Sequence, residues 1–90
     1  MSEYYRQRDN CVWRRIGTAG VVVAVNGGEP VRLRGRAALL WRLLAAPMSD
    51  DDATRSMCES GLIDVGPADA RREVVRLLQM LMLLGVVEAH

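Results

Sequence analysis

The hydrophobic period of this chain changes once, at Gly35, from two residues to near 3.6, which restricts it to folds that lay down strands first and helices afterwards. Ahead of the switch, residues 11–16 alternate well enough for a strand, with Trp13 as its large apolar member, and residues 17–20 supply a flexible Gly-Thr-Ala-Gly turn. Residues 21–25 make a second strand. Asn26-Gly27-Gly28 tolerates the positive φ that tight turns require, so it predicts a hairpin into a third strand at 30–34. Pro30 has no N–H to donate and fits the start of an edge strand, so the third strand of this antiparallel meander is expected to keep one side open.

Beyond Gly35, Ala37, Leu40, Trp41 and Leu44 fall on one side of a helix that Pro47 terminates. Ser49 is a good N-cap, and Asp50, Asp51 and Asp52 suit the positive end of a second helix running to about Ser60. Three adjacent carboxylates fan out around a helical turn, which is poor geometry for a cation site, so capping is the preferred reading. Gly61 ends this helix, 62–66 is a connector, and Pro67 opens the third helix at a favourable N1 position.

That third helix carries more apolar surface than a 90-residue domain should need. At 100° per residue, Val74, Leu77, Leu78, Leu81 and Leu84 form a stripe for the core. Val75 and Met82 widen it on one flank, Met80 widens it on the other, and Leu83 faces the opposite side. Only Arg76 and Gln79 interrupt the apolar surface before Gly85, which is placed as the C′ residue that stops the helix. Such an excess asks for a partner.

Composition narrows the partner's chemistry. The net charge is +1, but residues 1–44 hold eight arginines against three acids, a balance of +5, while the remainder holds four against eight, a balance of −4. All twelve basic residues are arginine, the rigid bidentate carboxylate binder, so an acidic partner on the N-terminal half is plausible. Cys11 and Cys58 are too few and too far apart for a disulfide framework or a zinc site and are expected as free thiols, with Cys58 buried. The polar start, residues 1–10, has no signal peptide, and the longest early apolar run has five residues, so a soluble cytoplasmic protein without a membrane partner is expected. No catalytic set can be assembled: the only histidine is the terminal His90, and no metal-ligand cluster or phosphate loop is present. The chain is expected not to be an enzyme and to need no cofactor and no metal.

Two motifs carry a resemblance. Leu33-Arg34-Gly35-Arg36-Ala37-Ala38-Leu39-Leu40-Trp41-Arg42-Leu43-Leu44 resembles, without a gap, the Leu-Asn-x-Thr-Ala-x-x-Ile-Trp-x-Leu-Leu signature of PqqD-like proteins. Glu73-Val74-x-x-Leu77-Leu78-x-x-Leu81-x-x-x-Gly85-Val86-Val87 resembles that family's closing pattern. Arg34 and Arg36 stand where the family has Asn and Thr. The resemblance covers about residues 11–88. It implies an α+β, winged-helix-like fold, with a three-stranded antiparallel N-terminal sheet followed by three helices, over 11–90 behind a polar tail at 1–10. It further implies a stand-alone RiPP recognition element, a peptide chaperone that binds the leader of a ribosomally made precursor as a strand added to the third strand, beside the third helix. The modifying enzyme it serves would be a lasso-peptide leader peptidase or a radical-SAM enzyme.

The residues support that mechanism on their own terms, because an edge strand offers unpaired backbone groups and apolar pockets beside it supply selectivity. The expectation is that leader backbone pairs with Val31, Arg32 and Leu33, while Val75, Leu78 and Met82, with Gln79 beside them, receive its apolar side chains. Arg32 and Arg34, two apart on one strand face, together with Arg71 and Arg72 at the helix start, would engage leader carboxylates. Two other classes compete. A DNA-binding winged helix is disfavoured, since 74–84 is nearly all apolar where a recognition helix needs polar and basic groups. A homodimerisation module would satisfy the same surplus apolar surface.

Overall fold

The local signals at Asn26, Ser49, Pro67 and Gly85 each appear as the backbone feature they predict. In a computed structural model, which describes residues 3–90, Asn26 and Gly27 both take positive φ, at 52° and 72°. The Ser49 hydroxyl accepts the Asp52 backbone N–H at 3.1 Å, Pro67 occupies the first turn of its helix, and Gly85 sits at φ 78° past the helix end. The elements in chain order are β1 (Tyr5–Gln7), β2 (Cys11–Ile16), β3 (Gly20–Val25), β4 (Val31–Arg34), α1 (Gly35–Leu43), α2 (Asp50–Glu59), α3 (Pro67–Leu83) and β5 (Val87–Ala89).

β2, β3 and β4 form the expected antiparallel meander, with Trp13 opposite Val23, Val23 opposite Val31, and Val21 opposite Leu33. The period of two sends Val21, Val23 and Leu33 into the core, where they meet Leu40, Trp41 and Leu44 of the α1 region and Val74, Leu78 and Leu81 of α3. This is an α+β domain, a three-stranded antiparallel sheet followed by three helices, compatible with a winged-helix-like arrangement. β2 overhangs that core: Trp13 is 44% exposed, meets Trp41 edge-on at 5.5 Å between ring centroids, and carries the Arg42 guanidinium over its face.

The strand-to-helix junction turns without a side-chain cap. Arg34 occupies the N-cap position of α1 and makes no capping hydrogen bond; Gly35 takes φ 58°, a conformation strained for an L side chain, and donates its N–H to the Ala19 carbonyl at 3.0 Å.

Two strands were not expected, and one of them, β1, falls within the expected polar tail at 1–10. β1 pairs antiparallel with β5, Arg6 opposite Glu88. Its polar side chains are used: the Gln7 amide donates to the Trp41 carbonyl at 2.8 Å, and Arg6 binds Glu88 at 2.7 Å. Backbone N–H groups of Tyr5 and Gln7 donate to the carbonyls of Met48 and Leu44, so this segment satisfies the carbonyls left open where α1 ends. Met1 and Ser2, the first residues of the expected tail, lie outside the described residues. Cys58 is half-buried and not enclosed, and both cysteines are free thiols.

Candidate functional site

β4 is hydrogen-bonded on one side only. It pairs with β3 from Val31 to Arg34 and lies at the end of the strand order, so its other side has no strand partner among the described residues. Pro30 falls just before the ladder, as its missing N–H requires. Along β4, Leu33 is buried and Val31 half-buried on the inner face, whereas Arg32 and Arg34 are exposed on the outer face. Neither Arg32 nor Arg34 has an ion-pair partner among the described residues.

Buried Val74, Leu78 and Leu81 seat α3 on the core, and ion pairs on two sides of the helix mark what each side faces. Arg71 binds Asp50 at 3.2 Å and Asp51 at 3.4 Å, which places its side of α3 against the start of α2. Glu73 binds Arg36 at 3.4 Å, two residues past the end of β4. Residues 71 and 73 are about 200° apart around the helix, so the Glu73 side turns toward the β4–α1 junction and the Arg71 side turns away from it. Ala68, Val75, Gln79 and Met82 share the Arg71 side; Leu77, Met80 and Leu84 continue the Glu73 side at i+4, i+7 and i+11.

This geometry divides the expected site. Val31–Arg34 come together as the open edge. Val75 and Gln79, with Arg71 and Arg72, line a shallow furrow of about 490 Å³ on α3 to which β4 contributes nothing. Leu78 is 1% exposed and belongs to the core, at the margin of the buried stripe nearest the Arg71 side. Met82 is half-buried and packs against the core. Arg71 is already engaged by two aspartates, and Arg72 lies 3.6 Å from Asp69, so their charges are used within the chain. The hydrogen bond that Arg71 donates to Asp50 makes its guanidinium hold its proton more tightly still.

The flank on the side of the β4–α1 junction is therefore Glu73, Leu77, Met80 and Leu84. Met80 is 37% and Leu84 44% exposed, although the stripe assigned Leu84 to the core. Leu84, the C-cap, still donates its N–H to the Met80 carbonyl at 2.9 Å, and it lies at the outer margin of the stripe on the Glu73 side, where the helix ends. Glu73 heads this flank as a carboxylate: a hydrogen bond from Arg76 outweighs the opposing effect of burial, and the charges of Arg76 and then Arg36 add to it, so its pKa is held below the usual carboxylate range. No local pattern signals this flank, because the Arg36–Glu73 pair that marks it joins residues 37 apart and is made only by folding.

Among the described residues no group of three or more His, Cys, Asp or Glu side chains converges as metal ligands. No helix is long and apolar enough to cross a membrane. The Cys11 thiol donates to the Arg8 carbonyl at 2.8 Å, and burial pushes its pKa up, away from thiolate chemistry.

The fold and edge together define a class: a small α+β domain presenting an unpaired strand beside an apolar helix flank. No family model matches the chain, and no curated protein matches it. Among solved structures it is similar to lasso peptide synthetase B1 complexed with the leader peptide, at a TM-score of 0.73 and 24% identity over 93% of this chain and 96% of that one. At that identity the likeness shows the fold.

Proposed function

We propose that this chain is a leader-peptide-binding protein of ribosomal peptide natural-product biosynthesis, a PqqD-like recognition element without catalysis of its own. The observation that carries the reading is the open side of β4. A leader segment adding there satisfies the unpaired N–H and C=O groups of Val31–Arg34 and extends the sheet to four strands. Alternate side chains of the added strand then face inward, onto Leu77, Met80 and Leu84, and outward, beside Arg32 and Arg34. The leader that fits is apolar at inward positions and acidic at outward ones, since charge-assisted pairs to arginine supply direction as well as affinity. A solved relative in fold that is itself complexed with a leader peptide supports the reading and favours a lasso-peptide peptidase over a radical-SAM enzyme as the recipient.

The test is titration with the leader half of a precursor encoded beside this chain, followed by Trp13 and Trp41 fluorescence and backbone amide shifts. Saturation with shifts confined to Val31–Arg34 and to Glu73, Leu77, Met80 and Leu84 is the expected result. Shifts confined to the Ala68–Gln79 furrow instead would move the site to the other flank, and absence of saturation would overturn the reading. One observation favours a second reading: Leu83 is 89% exposed next to Leu84, which suits a homodimer contact. A mass that doubles with concentration and blocks leader binding would favour it.

A further inference from the structure

The arginines of this chain fall into two populations. Every arginine of α2 and α3, Arg55, Arg71, Arg72 and Arg76, lies within 4.0 Å of a carboxylate, and Arg36 reaches Glu73. The arginines of the meander, Arg14, Arg15, Arg32 and Arg34, have no such partner among the described residues.

Three of those four share the outer face of the sheet. The register places Arg14 opposite Val22 and Val22 opposite Arg32, so two guanidiniums stand in one row across three strands, with backbones about 10 Å apart. Arg34 extends the basic surface one step along β4, opposite Gly20, whose other partner is Ile16. Between these charges the face is apolar. Val12 is 74% exposed, and a depression of about 400 Å³ is lined by Val12, Val22, Ala24 and Pro30, with Trp13 and Arg14 at its rim.

From this we propose that the outer face of the sheet docks an acidic surface of the enzyme that acts on the bound peptide, with one apolar side chain of that enzyme seated in the Val12–Pro30 depression. The proposal rests on the leader-binding reading for the enzyme's identity and on charge complementarity for the surface. Arginine beside exposed aliphatic groups is interface composition. Nucleic acid fits less well, because the aliphatic depression would desolvate phosphate with nothing in return, and Trp13 at its rim is already engaged edge-on by Trp41 and on its face by Arg42. The location also has a mechanical logic: a peptide strand added at β4 continues this face, so the docked enzyme meets the cargo's outward side chains beside Arg32 and Arg34.

The experiment uses the full chain and the peptide-cleaving or peptide-modifying enzyme encoded beside it, with affinity measured by calorimetry in the presence and absence of leader. Arg14→Glu and, separately, Val12→Asp lie two strands away from the β4 edge. Each is expected to weaken enzyme binding about tenfold or more while leader affinity stays within about twofold, and the association rate for the wild type should fall with added salt. Unchanged enzyme affinity in both folded variants overturns the proposal, as does the absence of enzyme binding by the wild type. Salt-steep binding to DNA or RNA that Arg14→Glu abolishes, with the enzyme unaffected, overturns it in favour of a nucleic-acid face. Failure of the leader-binding reading is scored apart, by leader titration alone.

Discussion

α3 carries apolar surface on both flanks of its buried stripe, and the two flanks meet different neighbours. On the side of Arg71, Val75, Gln79 and Met82, the first turns are tied to α2 through Asp50 and Asp51, and Met82 is drawn against the core. On the side of Glu73, Leu77, Met80 and Leu84, a single ion pair to Arg36 marks the start, Leu77 is buried, and the exposed apolar side chains of Met80 and Leu84 follow. Periodicity measures how wide an apolar surface is. Which neighbour stands beside each margin depends on how α2 and β4 are placed around the helix, and a pattern of 3.6 residues carries no information about that.

The comparison breaks most visibly through the stripe that both flanks share. Leu78→Ala should destabilise the whole domain by about 2–5 kcal/mol, read from urea unfolding, because it opens a cavity in a closed core. A loss under about 1 kcal/mol would return Leu78 to the surface and rejoin it to the expected groove. Met80→Glu combined with Leu84→Glu should cost little stability yet weaken leader binding about tenfold or more, about 1.4 kcal/mol at the least by calorimetry. Equal affinity in that variant would remove the Glu73-side flank from the site. Val75→Glu, the matching change across the helix, should leave leader affinity within about twofold; a larger loss would show that the furrow on the Arg71 side holds the peptide after all.

The smallest effect sharpens the placement of α3 itself. Glu73→Gln removes the partner of Arg36 and Arg76 and should lower Tm by about 2 °C at pH 7, as expected of a half-exposed ion pair in a small domain. The Glu73 pKa is lowered in the fold, so its contribution is fully present above the unfolded carboxylate pKa and is lost as pH falls through the folded one. Wild type and variant should therefore converge in Tm under strongly acidic conditions. A difference that persists there would mean that the substituted amide disturbs packing and that the loss is not that of the ion pair.

Much of the fold was legible because it is written in local chemistry. Asn26-Gly27, Ser49, Pro67 and Gly85 each specify a backbone conformation within one or two residues, and the strands and helices between them follow. The open side of β4 was legible for the same reason, through Pro30. β1 and β5 were not, because each has three residues, too few for a period of two, and their stability comes from backbone bonds to each other and to the end of α1. The helix half of the site was legible only in part. Arg71 and Arg72 look available in the sequence, but their acids lie in α2 and one turn back on α3, and only folding or helical spacing brings them together.

The pairing of β1 with β5 also sets an order of events. Arg6 and Glu88 are 82 residues apart, so β1 is synthesised well before its partner strand, with the meander and the three helices between them. The meander and the helices have short-range contacts available at once, whereas β1 must wait, and closing so long a loop is the slow kind of step in folding. Until it closes, the carbonyls of Trp41, Leu44 and Met48 lack the donors that Gln7 and Tyr5 supply. The nascent domain can thus present the β4 edge before the seam that locks Trp41 in place is made, and its last three-residue strand acts as the latch on a sheet and helix bundle already assembled.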